Sequence, residues 1–363
     1  EAQRRRVKVF QAVATGLGSV DPLRASVFQA RALRDALGST DQELIGVGLC
    51  VEALLQSFVG TASEADVRNL VARGRAAARS SGSERASAYA ELADGGARML
   101  FGRLGAASGP LAEAEMRFRD EVRVDTAGLN VARLLKVWVA VFRGDLRLLS
   151  QWIPEYERDA ARRDDRFAQA SLDLAGHIGW LATGDVATAR RKLDEPPWEP
   201  PDGSYHVQHW YRLIASCELA LYERDLRDRA VLEARFQETR RSLVFRRARA
   251  LRVYGQWLRG RFLLTLAERG DARALAEARR EAEHLAKERG ALAAPYAAAL
   301  RAGVAHLSGD LGACVAELTV TDELAAELSL FGLSAMARRR LGALDANAEA
   351  RGDADRYFQA EVR

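Results

Sequence analysis

Histidine is the side chain best suited to proton transfer and metal binding near neutral pH, and two of the five histidines lie close together. His206 and His209 are three residues apart, so on a helix they share one face. Glu218 and Glu223 follow on the same predicted helix, two or more turns away. A metal site needs a further ligand at about 2 Å from another element. We therefore predict no metal ion and no cofactor, and keep as an alternative an all-helical hydrolase or lyase with a site at His206, His209 and Glu218.

The short motifs that carry phosphate or acyl chemistry are absent from the sequence. It contains no G-x-x-x-x-G-K-[ST] or G-x-G-x-x-G loop, no H-R-D or D-F-G kinase set, and no H-E-x-x-H or G-x-S-x-G. Only four of the 54 basic residues are lysines, so few side chains are available for chemistry that requires a lysine. We expect no enzymatic activity from this chain itself.

The densest charge feature is the segment from Arg240 to Arg261, which holds eight arginines and no acid. An arginine ladder on one helix face can hold an acidic peptide, a phosphate or a nucleic-acid backbone. The alternative is a solvated face whose charges pair with Glu277, Glu281 and Glu283 on neighbouring helices. The excess of arginine over lysine is what the codon usage of a GC-rich genome produces, so the density of arginine is weak evidence for nucleic-acid binding. We therefore disfavour nucleic acid as the partner. The candidate partner-binding arginines opposite the apolar face are Arg241, Arg246, Arg249, Arg252 and Arg259.

A proline-rich stretch over 194–204 carries four of the eight prolines, and no helix runs through it. We expect a spacer between two repeats. The alternative is a loop that covers a groove and is anchored by Trp198. Trp198, His206 and His209 complete the candidate partner-binding residues.

Gly-Asp pairs recur after apolar helical stretches and indicate an internal repeat. They are Gly144-Asp145, Gly184-Asp185, Gly270-Asp271 and Gly309-Asp310. A degenerate turn, Arg224-Asp225, falls near the middle of the longest interval between these pairs. Counting back from Gly144 in steps of about 42 residues reaches Gly102, Gly60 and Gly18, which predicts similar turns there. Glycine ends one helix in the left-handed conformation and aspartate caps the next, so each pair marks a hairpin of two helices.

The elements between these turns read as helices throughout, because apolar residues recur at spacings of three and four and no strand-like alternation is sustained. We predict helices over about 166–182 and 242–268, a last helix that starts near Leu328, and a loop-like stretch over 106–110. We predict an all-α fold, an α-solenoid of stacked antiparallel helix pairs with a period of about 40–42 residues. A single array is expected over 1–363. It has less regular repeats over 1–127, clear repeats over 128–345, and a C-terminal tail or capping helix over 346–363.

Composition excludes several classes of protein. The chain has 363 residues, 48% of them hydrophobic, and a net charge of +4, which argues against disorder. No apolar run approaches the length of a membrane span, so no membrane is expected. The three scattered cysteines, Cys50, Cys217 and Cys314, are interpreted as core thiols of a cytoplasmic protein. The chain begins with Glu, and we interpret it as a piece of a larger protein.

The paired-helix unit with its Gly-Asp turn resembles a tetratricopeptide repeat of longer than usual period. More specific stretches are His206-Val-Gln-His209-Trp-Tyr, Arg241-Ser-Leu-Val-Phe and Ala335-Met-Ala-Arg338. They resemble the C-terminal repeat region of large bacterial, myxobacterial-type proteins that join a serine/threonine kinase to an AAA/STAND ATPase. The resemblance covers about residues 120–345.

The resemblance implies a non-catalytic interaction or sensor module in a signalling protein. Its concave surface would bind a protein or peptide, or the catalytic domains of the same parent chain. The arginine segment is what points to an acidic partner. The two alternatives that remain are the all-helical enzyme near His206 and His209 and an arginine-rich nucleic-acid-binding solenoid.

Overall fold

The computed structural model describes residues 1–18, 21–200, 205–242, 245–246, 248–344 and 348–362. Within these ranges the chain forms nineteen α-helices and no β-strand, so the predicted all-α class is confirmed for the part of the chain described. The first seven helices are α1 (Ala2–Leu17), α2 (Pro22–Leu37), α3 (Gln42–Val59), α4 (Glu64–Ser81), α5 (Glu84–Leu100), α6 (Leu104–Met116) and α7 (Thr126–Arg143). The next six are α8 (Leu146–Arg162), α9 (Arg166–Ala175), α10 (His177–Ala182), α11 (Val186–Asp194), α12 (Val207–Glu223) and α13 (Arg229–Arg241). The last six are α14 (Arg249–Glu268), α15 (Ala272–Lys287), α16 (Ala293–Leu307), α17 (Leu311–Glu327), α18 (Phe331–Leu344) and α19 (Ala348–Val362).

The helices group into two compact units. The first comprises Glu1–Val139, Pro200–Val207 and Ser242–Arg249, and the second comprises Ala140–Glu199, Gln208–Arg241 and Ala250–Arg363. The domain boundaries predicted from the sequence stay predictions.

In the first unit, α3 packs against α4 through small residues. A Cβ on Gly74 would lie 2.5 Å from the Sγ of Cys50, and one on Gly46 would lie 3.2 Å from the carbonyl oxygen of Gly74. The two backbones therefore approach more closely than any larger side chain allows. All three cysteines are buried and free, which confirms their interpretation as core thiols.

One described helix, α3, is long and apolar enough to cross a membrane by length and composition alone. The expectation that no stretch approaches such a length was therefore wrong for this helix. Leu44, Val47 and Leu49 are nonetheless buried, and α3 packs against both α4 and α5, as the core helix of a folded unit does.

The stretch 106–110 is helical, although its Gly-Pro pair reads as a loop. It lies within α6, where Pro110 occupies an interior position. Proline removes one backbone hydrogen bond and costs roughly 3 kcal/mol inside a helix. Leu104, Ala107, Leu111 and Ala114 are buried at spacings of three and four, so the apolar packing of this face offsets that cost.

In the second unit, successive helices pack on one another from α15 through α19. The predicted Gly-Asp turns are present, with φ of 80° at Gly144, 72° at Gly184, 96° at Gly270 and 78° at Gly309. The amide of the following residue donates to the carbonyl five positions back, for example from Asp310 to Ala305 at 3.0 Å. The side chains of Asp185, Asp271 and Asp310 then accept from the backbone three residues on, as capping residues do.

Two details of the turn prediction need correction. Gly18 is right-handed at φ −52°, so the backward extension fails there, although Gly60 and Gly102 are left-handed. The same turn also forms without glycine at Asp164 and Ser329, with φ of 49° and 61°, two positions that the sequence did not indicate. The degenerate turn at Arg224 is confirmed, with φ 54°.

Three predicted helices have different bounds. The helix predicted over 166–182 divides at Gly176, where a Cβ would lie 2.3 Å from Ile153. The helix predicted over 242–268 begins at Arg249, and residues 243, 244 and 247 lie outside the described part of the chain. The helix predicted to begin near Leu328 begins at Phe331. Residues 348–362 of the C-terminal segment form α19, and residues 201–204 of the proline-rich loop are not among those described.

Candidate functional site

Several arginines of the Arg240–Arg261 segment are engaged by carboxylates within the second unit. Arg252 donates to Glu288 at 2.6 Å, and Arg259 donates to Glu277 at 2.6 Å and also to Glu281. Arg240 lies 3.2 Å from the same Glu281, whose side chain is only 3% exposed. The alternative in which these arginines pair with neighbouring helices is therefore confirmed for Glu277 and Glu281. Glu283 makes no ion pair within the described ranges.

The other candidate arginines fall in different units and are described separately. Arg241 is exposed at the end of α13 in the second unit. Arg246 is exposed and Arg249 is half-buried, and both belong to the first unit. Among the residues described, Arg241 and Arg249 have no ion-pair partner, so their guanidinium groups are available to another molecule.

The predicted histidine and tryptophan positions have contrasting surroundings. His206 is buried in the first unit, and His209 is half-buried on α12 in the second. Trp198 packs edge to face on Phe167 with ring centroids 5.2 Å apart, so it is held against α9. The neighbouring Glu199 pairs with Arg212 at 3.0 Å.

A buried polar cluster on α10, α12 and α14, which the sequence did not indicate, is the most unusual chemical environment in the second unit. Arg261 on α14 donates to the carboxylate of Glu218 on α12 at 2.5 Å, and Glu218 is 7% exposed. The Nδ1 of His177 lies 2.8 Å from the carbonyl oxygen of Leu174, which places the proton on Nδ1. The Nε2 then carries a lone pair, and it has no hydrogen-bond partner among the described residues.

Burial and charge set the ionisation of this cluster. Burial lowers the pKa of His177, and the nearby Glu218 charge only partly opposes it, so the imidazole is held neutral. Burial raises the pKa of the Cys217 thiol, and the charge of Glu218 adds to the effect. The pKa of Arg261 is raised, because the attraction of Glu218 outweighs the opposing effect of burial. The cluster is thus a fixed ion pair beside a neutral hydrogen-bond acceptor.

Aromatic rings from successive hairpins surround this cluster. Trp257 stacks on Tyr296 with centroids 5.0 Å apart, and Arg261 lies over the Trp257 ring at 5.5 Å. Tyr254 contacts the rings of both Trp210 and Tyr296. Trp210 and Trp257 are buried, so both rings belong to the core of the second unit.

A second polar cluster joins α8, α9 and α11. The ammonium group of Lys192 lies 2.9 Å from Glu157 and 2.7 Å from Asp173, and it sits over the ring of Trp180 at 5.2 Å. Burial raises the pKa of Glu157 to about 8, and a hydrogen bond with Asp173 adds to the rise although Lys192 opposes it. The folded protein therefore favours the protonated form of Glu157.

The second unit also contains a groove of about 520 Å³ between α13 and α15. Its lining includes Arg229, which donates to Glu233 and to Asp271, both at 2.8 Å. Charges of both signs are thus paired across it. A smaller groove in the first unit, about 220 Å³, is lined by Val67, Val71 and Phe101 among others.

The comparisons with known proteins add no assignment. No protein-family model, no curated protein and no solved structure matches this chain. Within the described residues no group of three or more histidine, cysteine, aspartate or glutamate side chains could hold a metal ion.

Proposed function

We propose that this chain is a non-catalytic protein-interaction module, an array of stacked tetratricopeptide-like hairpins that binds an acidic protein or peptide. At three turns of the second unit the backbone closes the helix end and the side chain of Asp185, Asp271 or Asp310 caps the next helix. Such hairpins bury their apolar faces against their neighbours and leave an extended surface for a partner.

The observation that carries the proposal is a set of ion pairs between side chains about one repeat apart. Arg229 pairs with Asp271 across 42 residues, and Arg240 pairs with Glu281 across 41. Arg261 pairs with Glu218 across 43 residues in the opposite direction along the chain. These separations match the predicted period, which is what hairpins stacked in sequence order require.

The partner contact is assigned to Arg241 at the end of α13, for which the described residues offer no ion-pair partner. Arg252 and Arg259 are engaged by carboxylates of the chain, whereas Arg241 is exposed. Guanidinium groups bind carboxylates in a bidentate geometry, which favours an acidic protein segment. By resemblance, the parent is a cytoplasmic bacterial kinase or STAND ATPase whose activity the module regulates.

The experiment is a binding screen of the full chain against acidic, neutral and basic peptides, followed by fluorescence anisotropy on the best acidic peptide. The test variant is R241E. The matched control is R279E, because Arg279 is exposed on α15 and has no ion-pair partner in the described ranges. We expect about tenfold or greater loss of affinity in the test variant only, with affinity falling as salt rises.

Two outcomes would overturn the proposal. One is the absence of peptide binding, or an equal loss of binding in both variants. The other is tighter binding of a random-sequence DNA duplex than of any acidic peptide, with a steep salt dependence, which would identify a nucleic-acid-binding surface instead.

A further inference from the structure

The turn between α7 and α8 is contacted by the last helix of the chain. The hydroxyl of Tyr357 on α19 donates to the carbonyl oxygen of Gly144 at 2.6 Å. The backbone amide of Arg147 donates to the carboxylate of Glu361 at 3.0 Å. The partners are 213 and 214 residues apart in the chain, and all of them belong to the second unit.

Glu361 takes the capping position that a local residue fills in the other Gly-Asp turns. Asp145 is the residue before α8, yet its side chain makes no capping hydrogen bond and instead pairs with Arg143 at 2.8 Å. The first amide groups of a helix need acceptors, and a carboxylate there also interacts favourably with the helix dipole. At α8 that acceptor comes from α19.

The preceding helix, α18, approaches the same turn. A Cβ on Gly144 would lie 2.7 Å from both the Cα of Gly332 and the hydroxyl of Tyr357, so the turn accommodates the hairpin only because residue 144 is glycine. The guanidinium group of Arg143 lies 5.0 Å from the ring centre of Phe331. A close backbone approach, a capping carboxylate, a phenolic hydrogen bond and a cation–π contact therefore converge on residues 143–147.

In a linear array each hairpin touches only the hairpins directly before and after it. Such stacking would not bring α19 to the turn between α7 and α8. We infer that the turn 143–147 is a docking site for the C-terminal hairpin α18–α19, and that this hairpin acts as a clasp that closes the second unit on itself. An incoming protein helix can occupy the site only after the clasp detaches. The inference does not depend on the proposed contact at Arg241.

Titratable groups of both elements meet at the docking site. Burial raises the pKa of Asp145 on the turn, the charge of Arg143 opposes the rise, and the charge of Glu361 on α19 adds to it. Tyr357 is the other titratable group that faces the turn, and burial raises its pKa so that it stays protonated and donates.

The experiment is hydrogen exchange on the full chain carrying Tyr357→Phe and Glu361→Ala. The matched control is Gln359→Ala, on the exposed side of the same helix. We expect about tenfold faster exchange at residues 143–150 and 348–362 in the double variant, with unchanged exchange over α15 to α17 and in the control. Wild-type exchange at the turn would overturn the inference, as would faster exchange throughout the second unit.

A second measurement distinguishes a clasp from a fixed core helix. A fluorescein-labelled peptide of residues 348–362 is titrated into the wild type and into the double variant. A separable docking site predicts about tenfold tighter peptide binding to the double variant, whose own helix competes less well. Equal binding to both proteins, or binding to neither, would overturn it.

Discussion

Arg261 on α14 donates a hydrogen bond to Glu218 on α12 at 2.5 Å, and 43 residues of chain separate the two. The side chain of Glu218 is 9% exposed, whereas that of Arg261 is 33% exposed. The pair therefore joins two successive hairpins from inside, and its two members differ in their access to water.

That difference predicts unequal effects of removing either partner. Arg261→Met leaves an uncompensated buried carboxylate and should lower the free energy of unfolding by about 3 kcal/mol or more. Glu218→Gln keeps a hydrogen-bond acceptor and leaves a guanidinium group that can reach water, so its cost should be smaller. Urea denaturation measures both. Arg224→Ala, which breaks the exposed pair with Glu268, is the control and should cost less than about 1 kcal/mol. Equal losses in all three variants would contradict the prediction.

The cluster around Lys192 predicts a specific pH dependence of stability. The pKa of Glu157 is raised in the folded state to about 8 from an ordinary value of 4.5, so folding favours the protonated form. The contribution of Glu157 to the stability of the fold is fully present at a pH below its pKa in the unfolded state. It is lost as pH rises through the pKa of Glu157 in the folded state. Relative to Glu157→Gln, the wild type should lose stability between pH 5 and about pH 8, with a slope of up to about 1.4 kcal/mol per pH unit. Urea denaturation of both proteins across this range measures the difference. A constant difference between the two would show that Glu157 is ionised throughout.

Two glycines on α14 should respond oppositely to alanine. A Cβ on Gly260 would lie 2.3 Å from a methyl carbon of the fully buried Leu300, so Gly260→Ala forces the helices apart and should cost about 1–3 kcal/mol. A Cβ on Gly255 would make an ordinary contact at 3.7 Å, so Gly255→Ala should stabilise the helix by about 0.5–1 kcal/mol. Thermal unfolding of the two variants decides the matter, and loss of stability in both would argue against the close α14–α16 packing.

The left-handed turns allow a paired test of backbone strain. Gly309 has φ 78° and open space around it, so Gly309→Ala should destabilise by about 1 kcal/mol through backbone strain alone. Ser329 has φ 61°, and Ser329→Gly should stabilise by up to about 1 kcal/mol for the same reason. Chemical denaturation would be the measurement. A stabilising Gly309→Ala would show that this turn is not left-handed in solution.

The turns were the most predictable part of the fold, because their signal is local. Gly184-Asp185 shows both the left-handed glycine and the capping aspartate that the pair of residue types indicates. Asp164 was missed because the same backbone hydrogen bonds close its turn without glycine, as in the 2.9 Å bond from Asp165 to Ala160. Pro110 misled the prediction because packing of the buried face of α6 outweighs a local preference.

The candidate sites were less predictable, because they depend on contacts between distant hairpins. Glu277 and Glu281 were expected as partners of the arginine segment because they lie on the next helix. The Glu218–Arg261 pair requires the register between hairpins, which the sequence does not supply. Nothing around Glu361 indicates that it caps α8, since the hydrogen bond spans 214 residues.

The ion pairs between residues 41 and 42 positions apart also bear on how a chain of helical hairpins can lengthen. An arginine such as Arg229 meets its carboxylate, Asp271, 42 residues further on, at the start of a helix in the next hairpin. A tandem duplication of a gene segment of that length copies both groups together. Each new copy therefore carries an arginine for the hairpin after it and a carboxylate for the hairpin before it, and growth by duplication leaves the charge pairing intact.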